Sequence, residues 1–160
     1  MNKLIVIPIS FLLSFVFIAQ SEGQTVSKEQ TEIIKNQIDS VFQKMLVFAE
    51  KLDFDELSSG VNDKYEAGFI SNSKYYTDYS SLINDVKSNA QGISHQDISI
   101  KEKKITVLSH KIVLMTVSGL SKAYINDGRK ISSNFHWSFI YEMFNDNKWK
   151  VIYSHQSLSN

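Results

Sequence analysis

The chain contains no cysteine, a single proline at Pro8 and no Asn-x-Ser/Thr acceptor sequence. Without cysteine there can be no disulfide, no thiolate nucleophile, no zinc–sulfur site and no lipid attached through a thiol. The folded part of the chain must therefore be held together by side-chain packing alone. Because Pro8 lies in the apolar N-terminal segment, it carries no information about the residues that follow.

Neither sign of charge is in excess, since 17 basic and 17 acidic residues give a formal net charge of zero. Nucleic acids and anionic membrane surfaces are bound by clusters of basic residues, which are not in excess here. We therefore expect no nucleic-acid partner and no basic membrane-surface patch.

Recognised metal and cofactor signatures are also missing. None of the four histidines has a histidine, aspartate or glutamate three or four residues further on, and the sequence has no glycine-rich phosphate loop and no serine elbow; the histidines are His95, His110, His136 and His155. The sequence therefore predicts no metal site and no cofactor.

What the sequence does contain is enough apolar material for a core. Of its 160 residues, 42% are hydrophobic and 12% are aromatic, which is typical of one globular domain. No internal repeat or linker divides the chain. We predict a signal peptide over residues 1–21 and a single domain over residues 22–160.

The N-terminal segment carries the signals of export. Lys3 gives it a positive start, Leu4 to Ala19 is almost unbroken apolar sequence, and Ala19 and Ser21 are small residues of the kind that export cleavage requires. A membrane anchor is the rival interpretation, but the apolar run is shorter than the roughly 20 residues that span a bilayer. Together with the missing cysteines and glycosylation acceptors, this favours a bacterial periplasmic or extracellular protein without a stable membrane anchor after cleavage.

Three helices are predicted in the first half of the chain. Ser27 and Gln30 form a capping box at the start of a long helix, whose apolar face follows steps of three and four: Ile34, Ile38, Val41, Met45, Phe48 and Leu52. Asp53 caps a short helix that ends at Gly60. Thr77 or Asp78 caps a third helix, which Gly92 is placed to end. The segment between the second and third helices is irregular, with a short strand near Glu66 to Ile70.

From Gln96 onward, residues typical of β-strands replace the helical period. Two strands meet near Ser109 and His110, and Asn126-Asp127-Gly128 predicts a hairpin turn. Gly119 indicates a bend or a bulge in the second of these strands, and such a bend lets a sheet curl around a helix. We therefore predict an α+β domain: N-terminal helices, one of them long, packed in a strongly curved antiparallel sheet.

The last two predicted strands form a hairpin from Asn134 to Ser157, reversed at Asn145-Asp146-Asn147. Residues of one parity in the first strand are large and mostly aromatic: Phe135, Trp137, Phe139, Tyr141 and Met143. This set can form core, ligand wall or dimer face. In the second strand Trp149, Val151, Tyr153 and His155 alternate in the same way, which predicts that they share one face.

The order of elements, together with the ending Trp149-Lys150-Val151-Ile152-Tyr153-Ser154-His155-Gln156-Ser157, resembles the SnoaL-like branch of the nuclear-transport-factor-2-like superfamily. Members commonly close with a tryptophan, a basic residue, an aliphatic residue and a His-x-Ser ending. The resemblance implies a cone-shaped fold whose sheet wraps the long helix around an open apolar pocket. It also implies dimerisation through the outer sheet face and a ligand that is a small apolar or cyclic organic molecule.

His155 is the candidate for acid–base chemistry, because it ends a strand expected to line the pocket and titrates near neutral pH. The alternative is a histidine that holds the chain end through hydrogen bonds, helped by Ser157. Tyrosines near the expected pocket mouth could donate to a ligand carbonyl. We predict that the pocket is lined by Tyr75, Tyr76, Trp137, Tyr141 and Tyr153. The acidic candidates Asp53, Asp55 and Asp63 have the spacing of capping and loop residues.

Three functional hypotheses follow. The first is an exported small-molecule-binding domain with an apolar pocket. The second is an isomerase, cyclase or hydrolase that uses general acid–base chemistry at His155. The third is a non-catalytic homodimerisation module. A carboxylate within reach of His155 would favour the enzyme, and a collapsed cavity with an exposed aromatic sheet face would favour assembly.

Overall fold

A computed structural model describes residues 26–159, so the predicted signal peptide lies outside the described residues. Three helices precede or interrupt the strands: α1 (Lys28–Glu50), α2 (Phe54–Ser59) and α3 (Tyr79–Asn89). None of these helices is long and apolar enough to cross a bilayer. The strands are β1 (Phe69–Ser71), β2 (Lys74–Tyr76), β3 (Ile93–Val107), β4 (Ile112–Ile125), β5 (Lys130–Met143) and β6 (Trp149–Ser159).

Helix α1 begins at the predicted capping box. The Ser27 hydroxyl accepts from the Gln30 amide at 3.1 Å, and the Gln30 side chain accepts from the Ser27 amide at 3.3 Å. The buried stripe is rotated from the predicted one, because the buried residues follow a strict step of four: Ile34, Ile38, Phe42 and Leu46. The predicted Val41, Met45 and Phe48 lie on the neighbouring stripe and are only half-buried. The helix therefore has two apolar stripes with different surroundings.

The six strands form one sheet in the order β2-β1-β6-β5-β4-β3. The four long strands are antiparallel, as predicted, but β1 pairs with β6 in parallel, so the sheet is mixed. At the far edge of the sheet, β3 is hydrogen-bonded to the end of α1. The side-chain amide of Gln96 donates to the Ala49 carbonyl at 2.9 Å, and the backbone amide of Ile98 donates to the Glu50 carboxylate at 3.0 Å. The predicted curvature of the sheet around the long helix is confirmed.

Gly119 lies at the bend, and the bulge is on the neighbouring strand. Between β3 and β4 the register shifts from Ile100 paired with Gly119 to Glu102 paired with Ser118, so the extra residue belongs to β3. A Cβ on Gly119 would lie 2.1 Å from the Ser99 carbonyl oxygen and 2.6 Å from the Phe135 ring. Only glycine lets the bulged strand and the aromatic ring approach this closely.

A second register shift lies in the C-terminal hairpin and reverses part of the predicted face. Tyr141 pairs with Val151 but Ile140 pairs with Tyr153, which leaves Ile152 as an extra residue in β6. Because side chains alternate along a strand, one extra residue turns every later side chain to the opposite face. Beyond Ile152, Ser154 pairs with inward-facing Phe139, whereas His155 pairs with Ser138 on the outer face. The prediction that Trp149, Val151, Tyr153 and His155 share one face is therefore wrong.

Helices α2 and α3 cover the other end of the sheet. Both begin at predicted caps, since the Asp53 carboxylate accepts from the Glu56 amide and the Asp78 carboxylate accepts from the Ser81 amide. The core under α3 is small and consists of Phe69, Tyr76 and Leu82. Tyr79 packs edge-on against Phe69 with ring centroids 5.3 Å apart, and burial raises the pKa of Tyr79 to about 12.

Candidate functional site

A cavity of about 1480 Å³ lies between α1, α3 and the inner face of the sheet. It is open at one side, and it separates the main core under α1 from the small core under α3. Typical pockets for small molecules occupy roughly 300 to 1,000 Å³, so this one has room for a sizeable ligand. We divide its lining into an apolar wall and a polar wall.

The apolar wall consists of Val41, Met45 and Phe48 of α1 with Trp137 and Phe139 of β5. Its helical residues belong to the half-buried stripe of α1, and Val41 and Met45 of this stripe also pack against the main core. The Trp137 ring stacks on the Phe135 ring, with centroids 3.9 Å apart and planes 19° apart. Phe135 is fully buried, so it supports one face of the indole from within the core.

The polar wall consists of Ser154 and Gln156 of β6, Lys74 of β2, and Asp85 and Asn89 of α3. The Gln156 amide nitrogen donates to the Ser154 hydroxyl at 3.4 Å. Both side chains face inward because Ile152 shifts the alternation of β6. The bulge therefore supplies the cavity with two polar groups that a regular strand would have turned outward.

Asp85 is the centre of the hydrogen bonding in the polar wall. Its carboxylate accepts from the Tyr76 hydroxyl at 2.5 Å, from Lys74 Nζ at 2.9 Å and from the Asn89 amide at 3.2 Å. The Tyr76 hydrogen bond, followed by the Lys74 hydrogen bond, lowers the pKa of the Asp85 carboxyl. Burial, and then the same carboxylate, raises the pKa of Tyr76. Asp85 is therefore a charged and well-satisfied acceptor rather than a strong base.

Tyr141 lies deeper in the wall. It is 1% exposed, and among the described residues its hydroxyl has no hydrogen-bond partner. Burial raises the pKa of this phenol, so it stays protonated at neutral pH. Near the other side of the cavity, the Trp149 indole donates to the Gln37 side chain at 3.0 Å and ties β6 to α1.

Three of the residues predicted to line the pocket do line the cavity: Tyr76, Trp137 and Tyr141. Tyr75 does not, because its ring lies against Gly68, where an added Cβ would be 2.3 Å from the tyrosine oxygen. Tyr153 and His155 face the other side of the sheet because of the extra residue Ile152. The structure thus brings three of the five predicted pocket residues together and places the candidate acid–base residue, His155, elsewhere.

His155 lines a separate, shallower groove of about 570 Å³ on the outer face. Its neighbours there include His136 and Ser157, and the Ser157 hydroxyl donates to the His136 carbonyl at 3.1 Å. Among residues 26–159, the His155 ring has no hydrogen-bond partner, and no three His, Asp or Glu side chains converge as a metal site would require. A catalytic role for His155 stays a prediction, and its position on the outer face provides no support for that role.

The three aspartates considered as pocket acids lie elsewhere. Asp53 caps α2, Asp55 pairs with Lys87 at 3.0 Å, and Asp63 accepts from the Tyr79 amide at 2.8 Å. The carboxylates that line the cavity are instead Glu56 and Asp85, and sequence reasoning missed both. Asp85 is the one in the polar wall. Its spacing of four from Asn89 on the predicted third helix was the available signal, since residues i and i+4 share a helix face. No sequence signal predicted Ser154 and Gln156 as cavity residues, because the residues around Ile152 do not indicate a β-bulge there.

No family model matches the chain, and no curated protein matches it. Solved structures do. A nuclear-transport-factor-2-like superfamily protein from Salmonella enterica serovar Typhimurium is 15% identical, with a TM-score of 0.71 over 81% of this chain and 94% of the other. A Novosphingobium aromaticivorans protein provisionally named a scytalone dehydratase is 7% identical, with a TM-score of 0.73 over 84% and 89%.

A third match comes from Xanthomonas campestris. It is provisionally named a calcium/calmodulin dependent protein kinase II association domain, and it is 11% identical, with a TM-score of 0.65 over 76% of this chain and 84% of the other. Likenesses at such low identity show the fold alone. The chain has the nuclear-transport-factor-2-like fold, which confirms the architecture that the sequence resemblance implied.

Proposed function

We propose that the chain is an exported small-molecule-binding domain whose ligand occupies the cavity between the apolar and polar walls. The observation that carries the proposal is the open space of about 1480 Å³ between two separate hydrophobic cores. Interiors of proteins are close-packed, and a void of this size leaves many side chains without contacts. A ligand would restore those contacts.

The placement of the aromatic residues also supports binding over assembly. Phe135, Phe139 and Tyr141 are buried, and half-buried Trp137 lines both the cavity and the outer groove around His155. A homodimer formed through that outer face would therefore have to use mainly other side chains. The names of similar structures include both an enzyme and an association domain, so the fold itself does not choose between these functions.

An acid–base enzyme is the alternative, and the described residues support it less well. A catalytic histidine needs a positioned partner within hydrogen-bond reach, and among residues 26–159 none meets His155. Asp85, the carboxylate of the polar wall, has a lowered pKa, which makes it a weak base. Binding needs neither property.

Export rests on the sequence of residues 1–21. Expression of the whole gene product in a bacterium should yield a periplasmic or secreted protein shortened by about the length of that segment. Recovery of the uncut chain in the membrane fraction would support the rival membrane anchor instead.

Ligand binding can be tested with the neutral, environment-sensitive dye N-phenyl-1-naphthylamine. Its fluorescence should rise with saturation at one equivalent, and Val41→Trp, which fills the cavity from α1, should abolish the rise. Val47→Trp is the matched control, because Val47 lies on the same helix but is 45% exposed and outside the cavity. No saturable signal with the wild type, or equal loss in both variants, would contradict the proposal.

A further inference from the structure

Two histidines are neighbours on the outer face of the C-terminal hairpin. His136 of β5 pairs with Ser157 of β6, and Ser138 of β5 pairs with His155 of β6. Side chains two residues apart along a strand share a face, so His136 and His155 are diagonal neighbours on adjacent strands. Such neighbours are about 7 to 8 Å apart, which is within reach of two imidazole rings. Strand register therefore creates a histidine pair.

Both imidazole rings of this pair are accessible. The side chains of His136 and His155 are exposed and line the same groove of about 570 Å³. Within the part of the chain that the structure describes, neither ring forms a hydrogen bond, because the Ser157 hydroxyl donates to the backbone carbonyl of His136 and not to its ring. The ring of His95, by contrast, is stacked on Tyr124 with centroids 4.3 Å apart. Free imidazole nitrogens are the commonest metal ligands in proteins.

The charges in the groove come from β3, which lies two strands away from β5. Glu102 is on the same row as His136, and among the described residues it has no ion-pair partner. Lys103 is neutralised by Asp39 of α1. Lys104 is the remaining cation of the groove. Because Glu102 and Lys104 balance each other, the groove does not repel a cation, and the two imidazoles decide which ion can bind.

Two imidazole ligands select one class of metal ion. Zn²⁺, Ni²⁺ and Cu²⁺ bind imidazole nitrogen, whereas Mg²⁺ and Ca²⁺ require oxygen ligands. A closed site needs three or four protein ligands, and no such group converges among the described residues. Water would therefore complete the coordination, and the hydroxyls of Ser138 and Ser157, opposite the two histidines, can accept hydrogen bonds from that water.

We propose that His136 and His155 together bind a divalent transition-metal ion, Zn²⁺, Ni²⁺ or Cu²⁺, on the outer face of the sheet. The bound ion joins β5 to β6 on the side opposite the cavity. The sequence predicted no metal site, because spacings of three or four residues detect ligand pairs on a helix and not pairs across two strands. The competing occupant is inorganic phosphate, held by His155, Lys104 and the hydroxyl groups of the same groove.

The test is isothermal titration calorimetry of the tag-free protein with Zn²⁺, and separately with Mg²⁺ and inorganic phosphate. The wild type should bind one Zn²⁺ per chain and neither of the others. His136→Ala and His155→Ala should each abolish the Zn²⁺ signal, because a single imidazole leaves no chelate. His110→Ala is the matched control, since His110 lies in the turn between β3 and β4 and outside the groove, and it should bind Zn²⁺ like the wild type.

Thermal unfolding gives a second measurement. Zn²⁺ should raise the melting temperature of the wild type and of His110→Ala but not of the two groove variants, because only the folded hairpin brings the two rings together. If His136→Ala does not fold, His136→Gln replaces it, since glutamine keeps a polar side chain without the imidazole and should give the same loss.

The contrary outcomes are equally clear. The proposal is overturned by the absence of saturable Zn²⁺ binding to the wild type, by Zn²⁺ binding that survives in both groove variants, or by equal loss in His110→Ala. It is also overturned if phosphate binds in place of Zn²⁺ and depends on His155. The dye and the cavity play no part in this experiment, so its result is independent of the proposed function.

Discussion

The two stripes of α1 lie in opposite surroundings. Ile34, Ile38, Phe42 and Leu46 are buried in the main core with residues of β4 and β5, whereas Val41, Met45 and Phe48 line the cavity. The side chains are similar in chemistry, and Val41 and Met45 also touch the edge of that core, yet only the first stripe is buried. The difference shows that hydrophobicity alone does not decide whether a helix face becomes core.

Geometry explains why one half is sealed and the other is open. A sheet of six strands is about 24 Å wide, while a helix with its side chains covers about 10 to 12 Å. Helix α1 covers the β3–β4–β5 half, and α3, with Leu82 as its one buried residue, covers the other edge. The gap between the two helices is the cavity.

The largest expected effect comes from truncating the sealed stripe. Phe42→Ala should lower the free energy of unfolding by about 3 to 5 kcal/mol, because Phe42 is fully buried and packs against Phe139 at 6.3 Å between ring centroids. Phe48→Ala on the same helix should cost only about 1 kcal/mol, since its ring already borders open space. Urea denaturation measures both; equal losses would mean that Phe48 is packed as tightly as Phe42.

A smaller loss of unfolding free energy is expected when Gly119 is replaced by alanine. Gly119→Ala should cost about 1 to 3 kcal/mol, because its methyl group would overlap the Ser99 carbonyl and the Phe135 ring. Gly60 is the control: an added Cβ there meets its nearest neighbour at an ordinary 3.4 Å. Gly60→Ala should therefore be neutral or slightly stabilising in the same denaturation experiment. An unchanged free energy of unfolding in Gly119→Ala would argue against the close approach of β3 and Phe135.

Helix α3, with its small core, should depend on its cap and so on pH. Hydrogen bonds from the Ser80 hydroxyl and the Ser81 amide lower the pKa of Asp78 to about 2, from an ordinary value of 3.8. A lowered pKa in the folded state stabilises the fold above the ordinary pKa, and this stability is lost as pH falls toward 2. Between about pH 4 and pH 2 the melting temperature should therefore fall more in the wild type than in Asp78→Asn, which keeps an acceptor but does not titrate. If the melting temperatures of the two proteins fall in parallel with pH, Asp78 does not contribute to the loss of stability in acid.

The smallest effect is expected for His155→Ala. Its side chain is exposed on the outer face, so unfolding free energy should change by less than about 0.5 kcal/mol, and dye affinity should stay the same. Trp137→Leu is the comparison on the opposite face of the same hairpin, and it should weaken dye binding severalfold. Loss of a ligand effect in His155→Ala, with stability retained, would restore the acid–base hypothesis.

Much of the fold could be predicted because its signals are local. The caps at Ser27, Asp53 and Asp78, the Asp127-Gly128 turn and the period of β5 each act within a few residues. In the C-terminal hairpin the site was predictable only where that period continued undisturbed, as at Trp137 and Tyr141, and Tyr76 was found from the cluster of tyrosines before α3. Tyr153 and His155 were misplaced because their face depends on Ile152, whose extra position in the strand is visible only beside β5.

The sequence by itself determined the three helices, the four long strands, their order and the curved sheet around a long helix, because capping, turn chemistry and side-chain period need no distant partner. Only the tertiary structure decided which stripe of α1 is core, which residues of β6 face inward and where open space remains. These depend on strand register and on how much of the sheet two helices can cover, and both are settled by contacts between residues far apart in the chain.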